Sequence, residues 1–495
     1  MRRNPAVAVV GAGMSGICVA ITLLRSGITD VTVYEKADEV GGTWRENTYP
    51  GLVCDIPSRV YQYTFAHNPN WSHVFSPGGE IQDYFRGVAE KFGLRDRIRF
   101  GTEIVSARFE GGRWRLRTNA GEESTVDFLI CATGVLHHPR LPSIPGLEDF
   151  GGHAFHSARW DHSVELRGRR VAIIGNGSTG VQLVCGLAGV AGRVLLFQRT
   201  AQWVLRLPNP RYRRFTHLTH DRWGWLDRLA YRCYSLGYDT FAVGLTKPGL
   251  RRKIMGALCR ASLREVRDPE LRRALTPDYT PMCKRLVMSN GFYRAVQRDD
   301  VELVTAAIDH VERRGIVTAD GILHEADIIV LATGFDTHAF FRPMRLIGRD
   351  GIAADDVWRD GPRAYQTVAL PGFPNFFMML GPHSPVGNLA LTTVAESQAD
   401  HILRWIERWR RGEFDTVEPT WPATESFNAR LRAAMPDTVW TTGCQSWYLN
   451  KDGVPEVWPF TPGEHRAMLA NTDLGQYDLR REVTAGSAGS PDGGP

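Results

Sequence analysis

Two short stretches, VAVVGAGMSG and VAIIGNGSTG, set an apolar run directly before Gly-x-Gly-x-x-Gly: Gly11, Gly13 and Gly16 in one, Gly175, Gly177 and Gly180 in the other. Glycines at this spacing permit a tight turn and a close backbone approach to a pyrophosphate at a helix N-terminus. A single match means little in a chain with 50 glycines among 495 residues, since about 0.5 would arise by chance. Two matches, each behind a strand of buried type, point to two dinucleotide sites, the second carrying Ser178 and Thr179 in its loop. The next strand of each unit distinguishes the ligands. Glu35 ends VTVYE, and Arg199 ends VLLFQR at the same offset from its glycines. A carboxylate there accepts hydrogen bonds from ribose hydroxyls, as in FAD or NAD. An arginine there pairs with a 2′-phosphate, which selects NADP. The alternative is that Arg199 is only a solvated strand end.

These sites need strands and helices to hold them. DFLICATG (127–134) and DIIVLATG (327–334) are buried-strand runs ending in a small turn, and each closes one nucleotide unit. The expected fold class is α/β, with two Rossmann-like dinucleotide-binding domains, for FAD and NADP, and a helical insertion in the NADP domain. Residues 1–140 form the first part of the FAD domain, 141–200 a linker and the first part of the NADP domain, and 201–284 the insertion. Residues 285–335 complete the NADP domain and 336–480 the FAD domain. The end, 481–495, containing VTAGSAGSPDGGP, reads as a disordered tail.

Hydrophobic residues at 43% and charged residues at 23% are ordinary for a globular protein. The length calls for two or three compact units. The weakly charged stretch from Val171 to Gly192 carries Asn176, Ser178, Thr179 and Gln182, so it reads as a nucleotide fold and not a membrane span. Eight cysteines lie scattered without C-x-x-C or metal-ligand spacing. A reducing cytoplasm, no disulfide framework and no metal site are therefore expected.

The net charge of +5 is uneven: residues 211–280 carry fifteen Lys and Arg against seven Asp and Glu. Helix signals recur there. Asp268 reads as an N-cap with Pro269 at the first helical position. Trp223, Leu226, Ala230 and Cys233 follow helical spacing, as do Leu250, Ile254, Leu258 and Ala261. A solvated basic face is the plainer reading, ahead of steering NADPH or resting on an anionic membrane surface. No recognition motif or interleaved aromatic run points to nucleic acid.

The crossing between the two nucleotide units, FGGHAFHSARWD, supplies Phe150, Gly152, His156 and Trp160, followed by Asp161. Together with GGTWRENTYPGLVCD (41–55) it resembles the patterns of class B flavoprotein monooxygenases, and within them the Baeyer–Villiger monooxygenases. The similarity runs from Val7 to the region of Phe460. The resemblance implies an enzyme that uses NADPH to reduce FAD and dioxygen to form a C4a-peroxyflavin, turning a small-molecule ketone into an ester or lactone. It implies Arg285 as the catalytic cation and Asp55 as its acid partner. Arginine suits that task because guanidinium stays charged and offers several donors in one plane. Lys284 with Arg199 and Thr200 would clamp the 2′-phosphate. Ser15, Trp44 and Tyr61 match flavin contacts, and Trp447, in QSWYLN, resembles an aromatic near the nicotinamide end. The insertion would cover the substrate pocket. GPHSPVGN (381–388) precedes a helix whose N-terminus is expected at the flavin pyrimidine edge. Phe150, Gly152, His156 and Trp160 read as a hinge, with His156 a hydrogen-bonded support in preference to a general base.

Blander readings make Asp55 a loop cap, Lys284 and Arg285 surface charge, and Trp447 core. Oxygenation of sulfur or nitrogen in the same fold is the alternative activity, and Trp160 with the Asp55/Arg285 pair favours the ketone. From another class, a flavin-dependent NADPH disulfide reductase would need a C-x(2–4)-C pair, which Cys18 and Cys54 do not form. A non-catalytic nucleotide sensor would not require Arg285.

Overall fold

The computed structural model describes residues 4–212, 224–384 and 390–481. Trp223, the side chains of Leu226 and Ala230, residues 385–388 of GPHSPVGN and the tail from 482 lie outside the described residues.

The strand Val7–Val10 is buried on both faces, Val7 and Val9 in one core, Ala8 and Val10 in another. That is the pattern of a central parallel strand covered on both sides. It lies in a five-stranded parallel sheet ordered Phe376–Met378, Phe128–Cys131, Val7–Val10, Val31–Tyr34, Ile98–Arg99. The second sheet repeats the plan around Arg170–Ile174, in the order Val301–Val304, Arg193–Phe197, Arg170–Ile174, Ile328–Leu331, His153–His156. Each unit also places an antiparallel meander before its closing strand: Ile104–Glu110, Arg113–Thr118 and Glu123–Val126 in one, Ile308–Glu312, Gly315–Thr318 and Leu323–Glu325 in the other.

The duplication extends to single bonds. Asp127 accepts from the N–H of Ala6 at 2.8 Å, and Asp327 from that of Arg170 at 2.8 Å, so each carboxylate ties its closing strand to the start of the central one. The glycine turns match as closely. Gly11 (φ +102°) and Gly175 (φ +110°) adopt conformations that side chains oppose, and a Cβ would lie 2.6 Å from the Ala132 carbonyl oxygen or 2.5 Å from that of Ala332. A Cβ on Gly16 would fall 1.8 Å from the Gly11 oxygen, and one on Gly180 2.0 Å from the Gly175 oxygen.

Two chain crossings join the units, and they pair with each other. Pro139 and Phe335 form an antiparallel bridge, with Arg140 N–H donating to Gly334 O at 2.9 Å and Asp336 N–H to His138 O at 2.9 Å. FGGHAFHSARWD is not a free connection. His153–His156 is the edge strand of the second sheet, parallel to Ile328–Leu331. A Cβ on Gly152 would meet the Asp327 carbonyl oxygen at 2.2 Å, and the Trp160 ring lies edge-on to Phe155. The end of the stretch reaches the first unit through Arg159 to Glu46, and His162, just beyond it, bonds to Thr48.

The insertion contains helices Gly224–Thr246, Leu250–Leu263 and Pro269–Ala274. Asp268 caps the last of these, accepting from Glu270 N–H at 3.0 Å, with Pro269 opening it. One expectation is corrected. Cys283 and Cys444, 161 residues apart in sequence, are disulfide-bonded, and the other six cysteines are free. Spacing rules read local motifs, and this pair is made by tertiary proximity alone.

The glycine contacts lead to a paired test. Gly16→Ala has no room and should lower the thermal midpoint by several degrees, with loss of tightly bound flavin. Gly79→Ala, at the start of the helix Gly78–Lys91 and with nothing within 4 Å of the added carbon, should leave the midpoint unchanged or raised. Melting curves of the two purified variants decide it.

Candidate active site

The segment 41–55 runs from one nucleotide unit to the other. At its start, Gly41 N–H donates to Ala12 O at 3.0 Å, and a Cβ on Gly42 would lie 2.9 Å from the Gly13 Cα. Trp44 Nε1 then donates to the buried Tyr61 hydroxyl at 3.0 Å. At its end the segment docks on the second unit's helix Ser178–Leu187. Tyr49 donates to Gln182 Oε1 at 2.9 Å, and Gln182 Nε2 donates to Val53 O at 2.8 Å. A Cβ on Gly51 would sit 2.3 Å from Gln182 O, and one on Gly186 2.6 Å from the Pro50 carbonyl carbon. Only glycines allow so close a packing, and it delivers Asp55 to the junction.

There Arg285 meets it. Arg285 Nη2 donates to both Asp55 oxygens, at 2.8 and 2.9 Å, with 29% of the arginine side chain and 16% of the aspartate side chain exposed. Arg285 is carried between a disulfide two residues before it and the strand Val287–Met288, which pairs with Val204–Leu205. Gln202 Nε2 holds its carbonyl at 2.8 Å. Burial works against the guanidinium charge, but Asp55, and then Tyr448, more than offset it and raise the pKa above the ordinary arginine range. Burial likewise pushes the Tyr448 hydroxyl up, with Arg285 pulling the other way. The sequence reading passed over Tyr448, although it adjoins Trp447. Trp447 itself is 40% exposed, its ring centroid 4.2 Å from that of Tyr448. The Cys283–Cys444 bond thus joins the segment of Arg285 to the segment of Trp447 and Tyr448.

The strand ends Glu35 and Arg199 differ in more than charge. Glu35 is buried and accepts from Ala12 N–H at 2.7 Å and Ala37 N–H at 2.9 Å, so the carboxylate braces its glycine loop. In the second unit neutral amides do that bracing: Asn176 Nδ2 donates to Gln198 Oε1 at 2.9 Å and to Thr200 O at 2.8 Å. Arg199 is released to the surface. Burial, and then the charge of Arg199, hold Lys284 below the ordinary lysine range, while its Nζ lies 4.6 Å from the Tyr279 ring centroid. A lysine held down by a neighbouring arginine is suited to a doubly charged anion.

The residues fit dinucleotide cofactors. Neither the helix Met14–Arg25, which carries Ser15, nor the helix Ser178–Leu187, which begins with Ser178 and Thr179, has a side-chain cap at its N-terminus. Their first N–H groups are therefore aimed beyond the glycine turns. A cleft of about 480 Å³ follows the 41–55 segment past Trp44, Asn47, Tyr49, Gly51 and Gln82. His383, buried at φ +62°, has no hydrogen-bond partner for its Nδ1 among the described residues, in a small cavity lined also by Leu380, Trp447 and Tyr448. Burial lowers its pKa below the ordinary histidine range. Gln398, from the helix Leu391–Arg410, fixes that loop, accepting from Leu380 N–H at 2.8 Å and donating to Thr367 Oγ1 and Ser384 Oγ at 3.0 and 2.9 Å. GPHSPVGN contains His383 but points only to the helix that follows it, and no motif points to Gln398.

His156 has no free nitrogen for base chemistry. Nδ1 accepts from Ala158 N–H at 3.1 Å, which leaves Nε2 to donate to Gly334 O at 3.0 Å. Burial lowers its pKa. The geometry is that of a neutral support.

Known proteins resemble this chain along nearly its whole length. Residues 4–222 match the family model described as flavin-binding monooxygenase-like. The chain is 73% identical to an uncharacterized monooxygenase of Mycobacterium tuberculosis, over 99% of each chain. It is 37% identical to a Baeyer–Villiger monooxygenase of Streptomyces coelicolor, over 97% of this chain and 93% of that one. Among solved structures, cyclohexanone monooxygenase from Rhodococcus bound to NADP+ superposes with a TM-score of 0.87 at 28% identity, over 97% of this chain and 99% of that one. A part-buried cation–carboxylate pair at the junction of two nucleotide folds, in a chain so like these along its whole length, identifies the protein as a member of the flavin-binding monooxygenase-like family and, within it, of the Baeyer–Villiger monooxygenases.

Proposed function

We propose that this protein is an NADPH- and O2-dependent FAD monooxygenase that inserts one oxygen atom beside a ketone carbonyl. In balance, ketone, O2, NADPH and a proton give ester or lactone, NADP+ and water. Bound FAD supplies the redox chemistry, taking hydride from NADPH and passing the electrons to dioxygen. The observation that carries the reading is the Arg285–Asp55 pair between the two glycine loops.

The first loop (Gly11, Gly13, Gly16, with Ser15 and Glu35) would hold FAD, with Trp44 and Tyr61 beside it. The second (Gly175, Gly177, Ser178, Thr179, Gly180) would hold NADP, with Arg199, Thr200 and Lys284 at its 2′-phosphate. Trp447 would pack toward the nicotinamide end. Arg285 remains charged at any pH the enzyme meets, and Asp55 fixes the plane of its guanidinium. It can therefore stabilise negative charge on oxygen as the carbonyl is attacked, without reorganising at that moment. Residues 1–140 with 336–480 make the FAD domain, and 141–200 with 285–335 the NADP domain. The four residues Phe150, Gly152, His156 and Trp160 brace the second of these where it meets the first.

Two variants test these roles. Arg199→Ala should cut kcat/KM for NADPH about 10- to 100-fold, the scale of one lost charge-assisted hydrogen bond, and leave NADH nearly untouched. An unchanged coenzyme preference would remove Arg199 from the 2′-phosphate site. Arg285→Ala should keep FAD but lower ester formation by about 100-fold or more, with NADPH oxidation diverted to hydrogen peroxide. Product analysis on a panel of ketones and sulfides, with peroxide measured alongside, reads both outcomes. Ketone turnover retained in Arg285→Ala would refute its catalytic role.

A further inference from the structure

The helix Leu250–Leu263 is apolar on two sides. Its inner side, with Gly256, Cys259, Ser262 and Leu263, is buried, and Cys259 and Leu263 join the second unit's core. Its outer side repeats at the same helical spacing: Leu250, Ile254 and Leu258 are exposed by 73%, 49% and 46%, with Ala257 and Ala261 exposed on the same face. The helix Gly224–Thr246 packs against it and adds exposed Leu229 and Leu236 two turns apart. Among the described residues eleven large apolar side chains stand exposed, and five of them sit on this one helical hairpin. Scattered exposed leucines need no explanation, but a clustered stripe does. Among the described residues the helix is anchored by its other face.

Charge indicates what covers the stripe. From Thr240 to Arg264 the chain has no Asp or Glu but carries Lys247, Arg251, Arg252, Lys253, Arg260 and Arg264. Arg252 is turned inward, donating to the carbonyls of Gly244, Leu245 and Asp437. Lys247, Arg251, Lys253, Arg260 and Arg264 are exposed around the apolar stripe. A second copy of the chain, meeting the same face, would set these cations against their own images without a carboxylate between them. A phosphate-bearing lipid surface meets both features. The aliphatic side chains enter the acyl boundary, while the long Lys and Arg stems lie along it and reach the headgroups. Among the described residues no helix is long and apolar enough to cross a membrane, so the contact lies in the plane of the surface.

We infer that the outer face of this hairpin, built on Leu250, Ile254 and Leu258 with Arg251, Lys253, Arg260 and Arg264, docks the enzyme on anionic lipid bilayers. The binding is peripheral, driven jointly by apolar insertion and charge. It goes beyond the proposed activity and does not depend on it.

Cosedimentation of the FAD-loaded protein with vesicles tests it, using phosphatidylcholine alone and phosphatidylcholine mixed with phosphatidylglycerol. The wild type should pellet with the mixed vesicles only, and high salt should release it. Leu250→Ser/Ile254→Ser/Leu258→Ser, and separately Arg251→Gln/Lys253→Gln/Arg260→Gln/Arg264→Gln, should each lower partitioning on the order of a hundredfold. Both should keep the thermal midpoint and the NADPH oxidation rate in the absence of lipid. Failure of the wild type to bind mixed vesicles overturns the proposal, as does binding that both variants retain. Light scattering that shows a wild-type dimer and a monomeric leucine variant also overturns it, in favour of self-association.

Discussion

The charge on Arg285 has to be kept at a part-buried position between the two units. A lone guanidinium there would be costly, and Asp55 makes it tolerable by accepting two hydrogen bonds from Nη2. The two residues are 230 positions apart, so the pair sets a long-range condition on the chain. The segment 41–55 must leave the first glycine loop and end against the second unit's helix, and the chain after the insertion must return to the same point. The tight approach of Gly51 to Gln182 and of Gly186 to Pro50, with the Tyr49–Gln182–Val53 hydrogen bonds, can be read as the means of meeting the first half of that condition. The Cys283–Cys444 bond and the Gln202 contact to the Arg285 carbonyl meet the second.

Around this pair the two nucleotide units show how one backbone plan is given two electrostatic characters. Both need a polar group to brace the glycine turn from below. Where that brace is Glu35, the negative charge lies beneath the loop. Where it is Asn176 with Gln198, the brace is neutral and the following position is free to carry Arg199 outward. The nearness of Lys284 strengthens the asymmetry, because burial and the charge of Arg199 make the lysine charge harder to hold unless an anion lies between them. The difference between the two sites is thus a redistribution of bracing work among a few side chains, on nearly superimposable turns.

What could be read in advance follows the range of the interactions. The glycine loops and the Asp268–Pro269 helix start were legible because local sterics and local hydrogen bonds decide them. Glu35 and Arg199 were legible because a strand–turn–helix–strand unit has a nearly fixed length. The Asp55–Arg285 pairing came from family resemblance, since nothing in the spacing of 55 and 285 foretells it. The disulfide, Tyr448, His383 and Gln398 were missed, for each is defined by what the fold places opposite it. The stripe Leu250, Ile254, Leu258 correctly marked a helix, yet periodicity does not say which face is covered. The covered face carries Gly256, Cys259 and Ser262, whose small side chains permit close packing and leave little hydrophobic signal.

The crossing stretch shows the same limit and alters how motion between the units can be pictured. Because His153–His156 is hydrogen-bonded into the second sheet and His156 spends both ring nitrogens on backbone, that stretch moves with the second unit. The link between the units is instead the paired connections, where Arg140 and Asp336 bond across. The same turn, Gly334, takes the hydrogen bond from His156 and the one from Arg140. The imidazole therefore holds in place the carbonyl on which the connection is hung. A histidine so placed acts by fixing that carbonyl, and its neutral tautomer is the form that lets it do so.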